Sequence, residues 1–422
     1  MRAAQSGQGE GPAQRATTPA WRGIAAAEQR EGPLYYPPIE VDSARWGWLL
    51  AGAGSVGALV AALLDPAAAR AAAAQDWPPF VLVAGLLLIG LVAHDDGLFA
   101  HAGRKLANAA PGDGALFGGA VVLIAAVTAV LNLDTSVAFL TPVLFHAGRA
   151  RDGKGASLLY ACVLVSNAAS LLLPGSNLTN LIVLGHLHLS GQRFFVRTAL
   201  PWVAAVVVTA GVVAVGGRRL SGEDGSDSDG ARQSDPAPAP KLGPGLAGVL
   251  AAVVLVLVLR SPAVPVAVVG VLAAGAHFVR RGQGMERALN VLGLPVLVGL
   301  LGVAVALGAL GRAWTGPERI LGHLDTWATA GVAAGTSVLV NNLPAASLLA
   351  ARVPRHPFAL LVGLDVGPNL FVTGSLSWIL WLQAARTVGA RPSVARATRL
   401  GLVATPIAMA AALAALQLTR AA

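Results

Sequence analysis

From residue 48 to the C-terminus, long apolar runs alternate with short polar interruptions. Runs at 48–64, 79–93, 157–173, 198–215, 246–259, 263–279, 291–310 and 398–416 approach the ~20 apolar residues a helix needs to cross a bilayer. Ahead of them, residues 1–46 are polar and rich in Gly, Pro, Arg and Glu. They predict a disordered tail and lack the apolar core of a cleavable signal peptide. Between Asp96 and Gly114 the chain turns more polar, with His101, Arg104 and Lys105, and predicts an interfacial helix. Residues 217–243 are too polar and Pro-rich to pack and read as a disordered linker between two membrane repeats, 47–216 and 244–419.

The interruptions repeat. In the first half, apolar arms at 114–131 and 137–145 flank Asn132-Leu133-Asp134-Thr135-Ser136. This reads either as a re-entrant hairpin or as two spans with a short turn. Then comes the uncharged stretch from Ser166 to Val183, where Pro174-Gly175 breaks a helix and Ser166, Asn167, Ser170, Ser176, Asn177, Thr179 and Asn180 surround the break. In the second half, 326–340 and 345–351 flank Asn341-Asn342-Leu343-Pro344, and the run at 358–364 is broken by Asp365-Val366-Gly367-Pro368-Asn369 through Ser377. Free backbone groups at membrane depth are tolerated only inside protein or beside a watery cavity, and matching interruptions in two halves point to a transporter site.

Composition agrees. Of 422 residues, 55% are hydrophobic and 12% charged, against ~25% charged in soluble domains, and mean hydropathy is +0.66. The net charge of +9 and pI near 10.8 would fit nucleic acid in a soluble protein. In a membrane protein, Arg-rich short loops fix topology and meet anionic lipid, so no nucleic acid is expected. One cysteine, Cys162, excludes an internal disulfide and a thiolate cluster. No phosphate-binding Gly-rich loop or nucleophile elbow occurs in the required context, so neither a cofactor nor enzyme activity is expected.

Two carboxylates fall in the breaks, Asp134 and Asp365. An ionisable group at membrane depth costs at least ~2.5–3.5 kcal/mol and is a functional candidate by default. Amides and hydroxyls beside them can hold either protonation state, which suits proton coupling. The plainer alternative is that each Asp caps a half-helix. The candidate substrate or ion contacts are Asn132, Asp134, Thr135, Ser176, Asn177, Thr179 and Asn180 in the first half, and Asn341, Asn342, Asp365, Asn369, Thr373 and Ser375 in the second. No Lys or Arg lies within a break, so a polyanion would depend on helix N-termini. A cation and a small neutral polyhydroxy solute fit the residue types equally well. His186 and His188 are expected in an interfacial loop, His94-Asp95-Asp96 at a solvated helix end, and Trp378 and Trp381 in the core or at an interface. An intramembrane protease using Asp134 and Asp365 as a dyad is a remote alternative, because a dyad leaves the Asn-rich breaks unexplained.

The run Asp134-Thr135-Ser136 to Leu140-Thr141-Pro142, Ser166-Asn167-Ala168-Ala169-Ser170 with Ser176-Asn177-Leu178-Thr179-Asn180, Val340-Asn341-Asn342-Leu343-Pro344, and Asp365-Val366-Gly367-Pro368 with Gly374-Ser375-Leu376 and Trp381 together resemble the arsenical pump membrane protein family, arsenite/antimonite efflux permeases of the ion transporter superfamily. The resemblance covers roughly residues 79 to 417. Leu133 stands where that family has Asn, Asn167 where an acidic residue is common, and one N-terminal span is replaced by the polar tail. The resemblance implies an all-α polytopic protein of about 10–12 transmembrane segments in two inverted repeats with re-entrant hairpins and broken helices, in the cell (inner) membrane. It implies export of neutral arsenite or antimonite coupled to protons, with Asp134 and Asp365 as the coupling pair. Na+/H+ antiport and di- or tricarboxylate transport are the alternatives within the superfamily. A soluble ATPase subunit and a homodimer are admitted as partners.

Overall fold

In the computed structural model, residues 43–149, 155–185, 187, 189–220, 243–259, 261–281 and 286–420 are described. The chain divides into Met1–Trp46 and Gly47–Ala422. The first unit lies almost wholly outside the described residues, as do 221–242 of the expected linker and both His186 and His188.

Every regular element among the described residues is helical. Seven helices are long and apolar enough to cross a membrane: Gly47–Leu64, Pro66–Asp95, Asp113–Val130, Gly191–Gly217, Ala263–Arg280, Ala288–Ala313 and Val394–Thr419. Four shorter apolar helices join them, Ser157–Ala169, Pro244–Val258, Thr326–Val340 and Pro357–Leu370. Their surfaces invert the soluble pattern. Leu339 is 82% and Val279 85% exposed, while Asn180, Thr135, Ser166 and Asp365 are fully buried. Apolar groups outside and hydrogen-bonding groups inside suit a lipid solvent. The protein is an all-α, multi-pass membrane protein.

Helix Pro66–Asp95 runs through the middle and is longer than the run expected at 79–93. Asp65 caps it, accepting from the Ala67 and Ala68 amides at 3.1 and 2.9 Å. The Ala-rich first turns favour helix and pack through Ala68, Ala69 and Ala72 on Val305 and Ala309. That packing carries the helix through Pro78 and Pro79, each of which removes only one donor. Farther along, a Cβ on Gly85 would lie 2.6 Å from Ala267 Cα, and one on Gly270 would lie 2.5 Å from the Gly85 carbonyl. Helix Pro66–Asp95 and helix Ala263–Arg281 therefore touch backbone to backbone. Their meeting also corrects the expected solvated end at His94-Asp95-Asp96. His277 is buried there, with Nε2 3.3 Å from Asp95 Oδ2 and Nδ1 3.6 Å from Asp96 Oδ1. The Gly245 amide donates to Asp96 at 2.9 Å.

Four elements carry the polar interruptions. The first hairpin is Asp113–Val130 followed by Leu133–Arg149, and the second is Thr326–Val340 followed by Asn342–Leu349. The first broken helix runs Gly155–Ala169, a single 3-10 turn at Pro174–Ser176, then Leu178–Leu184. The second runs Pro357–Val366, Gly367–Leu370, then Ser377–Thr387. After the first broken helix, helix Gly191–Leu220 continues through 217–220, where the linker was expected to begin. C-terminal helix Val394–Arg420 props up the second break: a Cβ on Gly401 would sit 1.8 Å from the Asn369 carbonyl oxygen.

Candidate functional site

Each interruption places an Asn where the chain re-enters helix. Asn132 and Asn341, at the two hairpin tips, are the non-glycine residues with positive φ among the described residues, at 147° and 76°. Asn visits this region more readily than other non-Gly residues because its short side chain bonds the local backbone. Asn132 Oδ1 accepts from the Thr135 amide at 2.7 Å, and Asn341 Oδ1 accepts from the Leu343 amide at 3.4 Å. Asn177 caps Leu178–Leu184 likewise, accepting from the Thr179 amide at 3.4 Å. Capping at the first hairpin therefore falls to Asn132, which leaves Asp134 in the first helical turn without that duty.

The four interruptions meet at one cavity. Its walls are Leu133 and Asp134 of the first tip, Asn177 and Leu178 of the first break, Asn341, Asn342 and Leu343 of the second tip, and Ser375 and Leu376 of the second break, with Leu300 from helix Leu294–Ala313. The cavity is about 20 Å³, enough for about one water molecule. Asp134 is half-buried there, and no hydrogen bond or ion pair to a described residue holds its carboxylate. Among the described residues, no Lys, Arg or His lines the cavity. Four helices start at its edge, Leu133–Arg149, Leu178–Leu184, Asn342–Leu349 and Ser377–Thr387, and their N-termini add partial positive charge equivalent to ~0.5 each at most.

Asp365 is fully buried near the end of Pro357–Val366, behind the cavity wall rather than in it. Its Oδ1 accepts from Asn177 Nδ2 at 2.9 Å and from Thr179 Oγ1 at 2.8 Å. Both donors come from the other half of the chain. Oδ2 has no partner among the described residues, so one position on the carboxyl stays free for a proton or a small cation. Asn177 Nδ2 also reaches Ser170 Oγ at 3.3 Å. A second bridge joins the halves: Ser375 Oγ donates to Asn167 Oδ1 at 3.1 Å and contacts Ser377 Oγ at 2.5 Å.

The remaining predicted residues lie off the cavity and hold the breaks. Ser176 Oγ donates to the Ala129 carbonyl at 2.9 Å and accepts from the Leu173 amide at 3.1 Å. Asn180 Nδ2 donates to the Ser170 and Leu173 carbonyls at 2.7 and 3.1 Å, spanning the non-helical turn. Asn369 Nδ2 donates to the Leu164 carbonyl at 2.8 Å. Thr135 is buried against Gly90. Thr373 is exposed and donates to the Val338 carbonyl at 2.6 Å. Trp378 and Trp381 are core residues, with their ring N–H groups on the Pro368 and Leu159 carbonyls at 3.0 and 2.9 Å. Missed altogether was Asp76, buried with both carboxylate oxygens unpartnered among the described residues. Its only sequence signal is a lone acid after an Ala-rich run that continues into apolar helix.

The profile of the CitMHS family, described as citrate transporter, matches residues 46–374. The arsenical pump membrane protein of Escherichia coli K12 is 26% identical over 369 residues, covering 80% of this chain and 85% of that one. An uncharacterized transporter of Mycobacterium tuberculosis is 26% identical over the same length, with the same coverage. The crystal structure of the Alcanivorax borkumensis YdaH transporter aligns with TM-score 0.49 and 16% identity, covering 83% of this chain and 87% of that one. The chain belongs to the CitMHS citrate transporter family of the ion transporter superfamily and is a membrane-embedded secondary transporter.

Proposed function

We propose that the chain exports a small neutral metalloid hydroxide, arsenite or antimonite, in exchange for protons. The observation that carries this is the polar part of the cavity wall: amides, a hydroxyl and one carboxylate beside five leucines, with no cationic side chain among the described residues. A neutral trihydroxide needs hydrogen-bond partners of both kinds and no charge clamp, and Asn177, Asn342, Asn341, Ser375 and Asp134 supply them. Relatives named arsenical pump membrane proteins support the assignment. Proton coupling is given to Asp134, which faces the cavity, and to Asp365, which Asn177 links to it. The two tips and two breaks are read as re-entrant hairpins and broken helices of two inverted repeats. Seven helices are long and apolar enough to cross a membrane, and the count of 10–12 segments requires the four shorter apolar helices to be read as spans beside them.

A second reading is transport of citrate or a related carboxylate, favoured by the description of the matching family. Helix N-termini at the cavity would serve it, each worth ~0.3–1 kcal/mol, up to ~2 when partly buried. The Asp134 carboxylate opposes a polyanion in the same space, so the neutral solute is preferred. The deciding experiment is growth of a pump-deficient host on arsenite, together with arsenite and citrate uptake by everted vesicles. Arsenite accumulation driven by the proton gradient is expected. Unchanged arsenite sensitivity with confirmed expression would sink the metalloid assignment, and citrate uptake would establish the second reading.

A further inference from the structure

Asp76 lies outside the cavity, and neither reading above uses it. It is 1% exposed, and neither of its carboxylate oxygens has a hydrogen-bond partner among the described residues. Around it is a polar seam. The neighbouring Gln75 donates through Nε2 to the Ile182 carbonyl at 2.8 Å and to the Ala350 carbonyl at 3.2 Å. The first belongs to the last segment of the first broken helix, and the second follows the return arm of the second hairpin. Arg312 Nη2 donates to Gln75 Oε1, and Nη1 donates to the Gly308 carbonyl at 2.8 Å. A Cβ placed on Gly308 would be 3.2 Å from Arg312 Nη1 and 3.5 Å from Asp76 Oδ2. The guanidinium and the carboxyl thus lie over the same glycine without reaching ion-pair distance. Ser347 on the second hairpin is buried, and Arg352 bonds the Arg312 carbonyl at 2.8 Å while pairing with Glu318 at 3.0 Å on the exposed side.

We propose that Asp76 is a further proton-binding carboxyl of the transport cycle, filled in this closed arrangement and emptied towards Arg312 when the second hairpin moves. An ionised carboxylate buried without donors costs several kcal/mol, whereas a protonated carboxyl needs far less compensation. The adjacent guanidinium makes a metal cation a poor occupant of the same space. Gln75 provides the link to motion. Its amide holds the first broken helix and the end of the second hairpin together, and its carbonyl oxygen holds Arg312. Movement of the hairpin away from Ala350 breaks that set of bonds and frees the guanidinium for Asp76. The carboxyl O–H bond then breaks, the proton passes to water entering the seam, and an Asp76–Arg312 ion pair remains. Closing reverses each step. The inference rests on the secondary-transport reading, but the proton site can be tested without any solute.

The test uses the purified full-length chain in proteoliposomes, with Asp76→Asn and Asp365→Asn compared in two assays. Infrared difference spectroscopy across a pH jump is expected to show a protonated-carboxyl stretch that disappears in Asp76→Asn and persists in Asp365→Asn. Persistence of that band in Asp76→Asn would overturn the proton site. In flux assays with arsenite and with citrate, Asp76→Asn is expected to keep solute counterflow and to lose accumulation driven by a pH gradient. Intact gradient-driven accumulation in Asp76→Asn would overturn the coupling role. If the wild type moves neither solute, the transport reading fails while the infrared band still decides the proton site. Asp76→Glu keeps the carboxyl and guards against misfolding: it should retain the band, and its loss there would count against the assignment.

Discussion

At the scale of single residues, asparagine does two jobs in this protein, and the geometry separates them. Asn341 sits at φ 76° and caps the helix that follows it. Replacing it with Ala removes the cap, worth ~1 kcal/mol, and removes the local side-chain bonding that lets Asn tolerate a positive φ, for which other L-residues pay ~1–2 kcal/mol. Gly avoids the second penalty and recovers most of the first. Asn341→Ala is therefore expected to lower stability by ~2–3 kcal/mol and Asn341→Gly by well under half of that, read as unfolding midpoints in detergent. Equal losses would remove the backbone explanation. Thr179 tests the other job, since its hydroxyl donates to Asp365 Oδ1 at 2.8 Å. Thr179→Val keeps the shape and strips the donor, so a loss of ~1–3 kcal/mol and impaired gradient-driven flux are expected. Wild-type stability with wild-type flux would show that Asn177 alone suffices to hold Asp365.

At the scale of elements, the breaks are rigid because neighbours clamp them. The Asn369 carbonyl approaches Gly401 so closely that no side chain fits between them. Gly401→Ala should push helix Val394–Arg420 off the second break, with a stability loss of at least ~1–3 kcal/mol and lost flux. Normal thermal unfolding together with normal transport would mean the break does not rely on this contact. The interruptions themselves were legible in the sequence, because Asn132, Pro174-Gly175, Asn341 and Gly367-Pro368 each stop a helix by a local rule. Their division of labour was not legible. Ser176, Asn180 and Asn369 look identical in type to Asn177 and Ser375, yet the former tie carbonyls off the cavity while the latter line it. Only tertiary packing decides which face of a broken segment meets its partner. Asp76 was hidden for a related reason: Pro78-Pro79 reads as a helix start, and the cap at Asp65 with packing on Val305 and Ala309 overrides that rule.

At the scale of the whole molecule, four interruptions far apart in sequence enclose one cavity, and two hydrogen bonds to Asp365 tie the halves across it. A cavity of about 20 Å³ admits water and excludes a metalloid trihydroxide or a carboxylate. The arrangement is therefore closed around the site, and a solute enters only when tips and breaks move apart. Accessibility can follow that motion directly. Cys162 is fully buried, so the wild-type chain should resist membrane-impermeant thiol reagents and serve as a silent background. Ser375 lines the cavity and is 2% exposed, and Ser375→Cys changes little in volume. Labelling of this variant is expected to be slow in the closed arrangement. It should speed up from one side of the membrane when a pH gradient is imposed, and from the other side when the gradient is reversed. A carrier that exposes its site alternately must show this exchange of sides, because the two halves share a single cavity. Labelling from one side only, indifferent to the gradient and to added arsenite, would describe a fixed vestibule and would rule out the moving hairpins on which the proposed coupling through Asp134 and Asp365 depends.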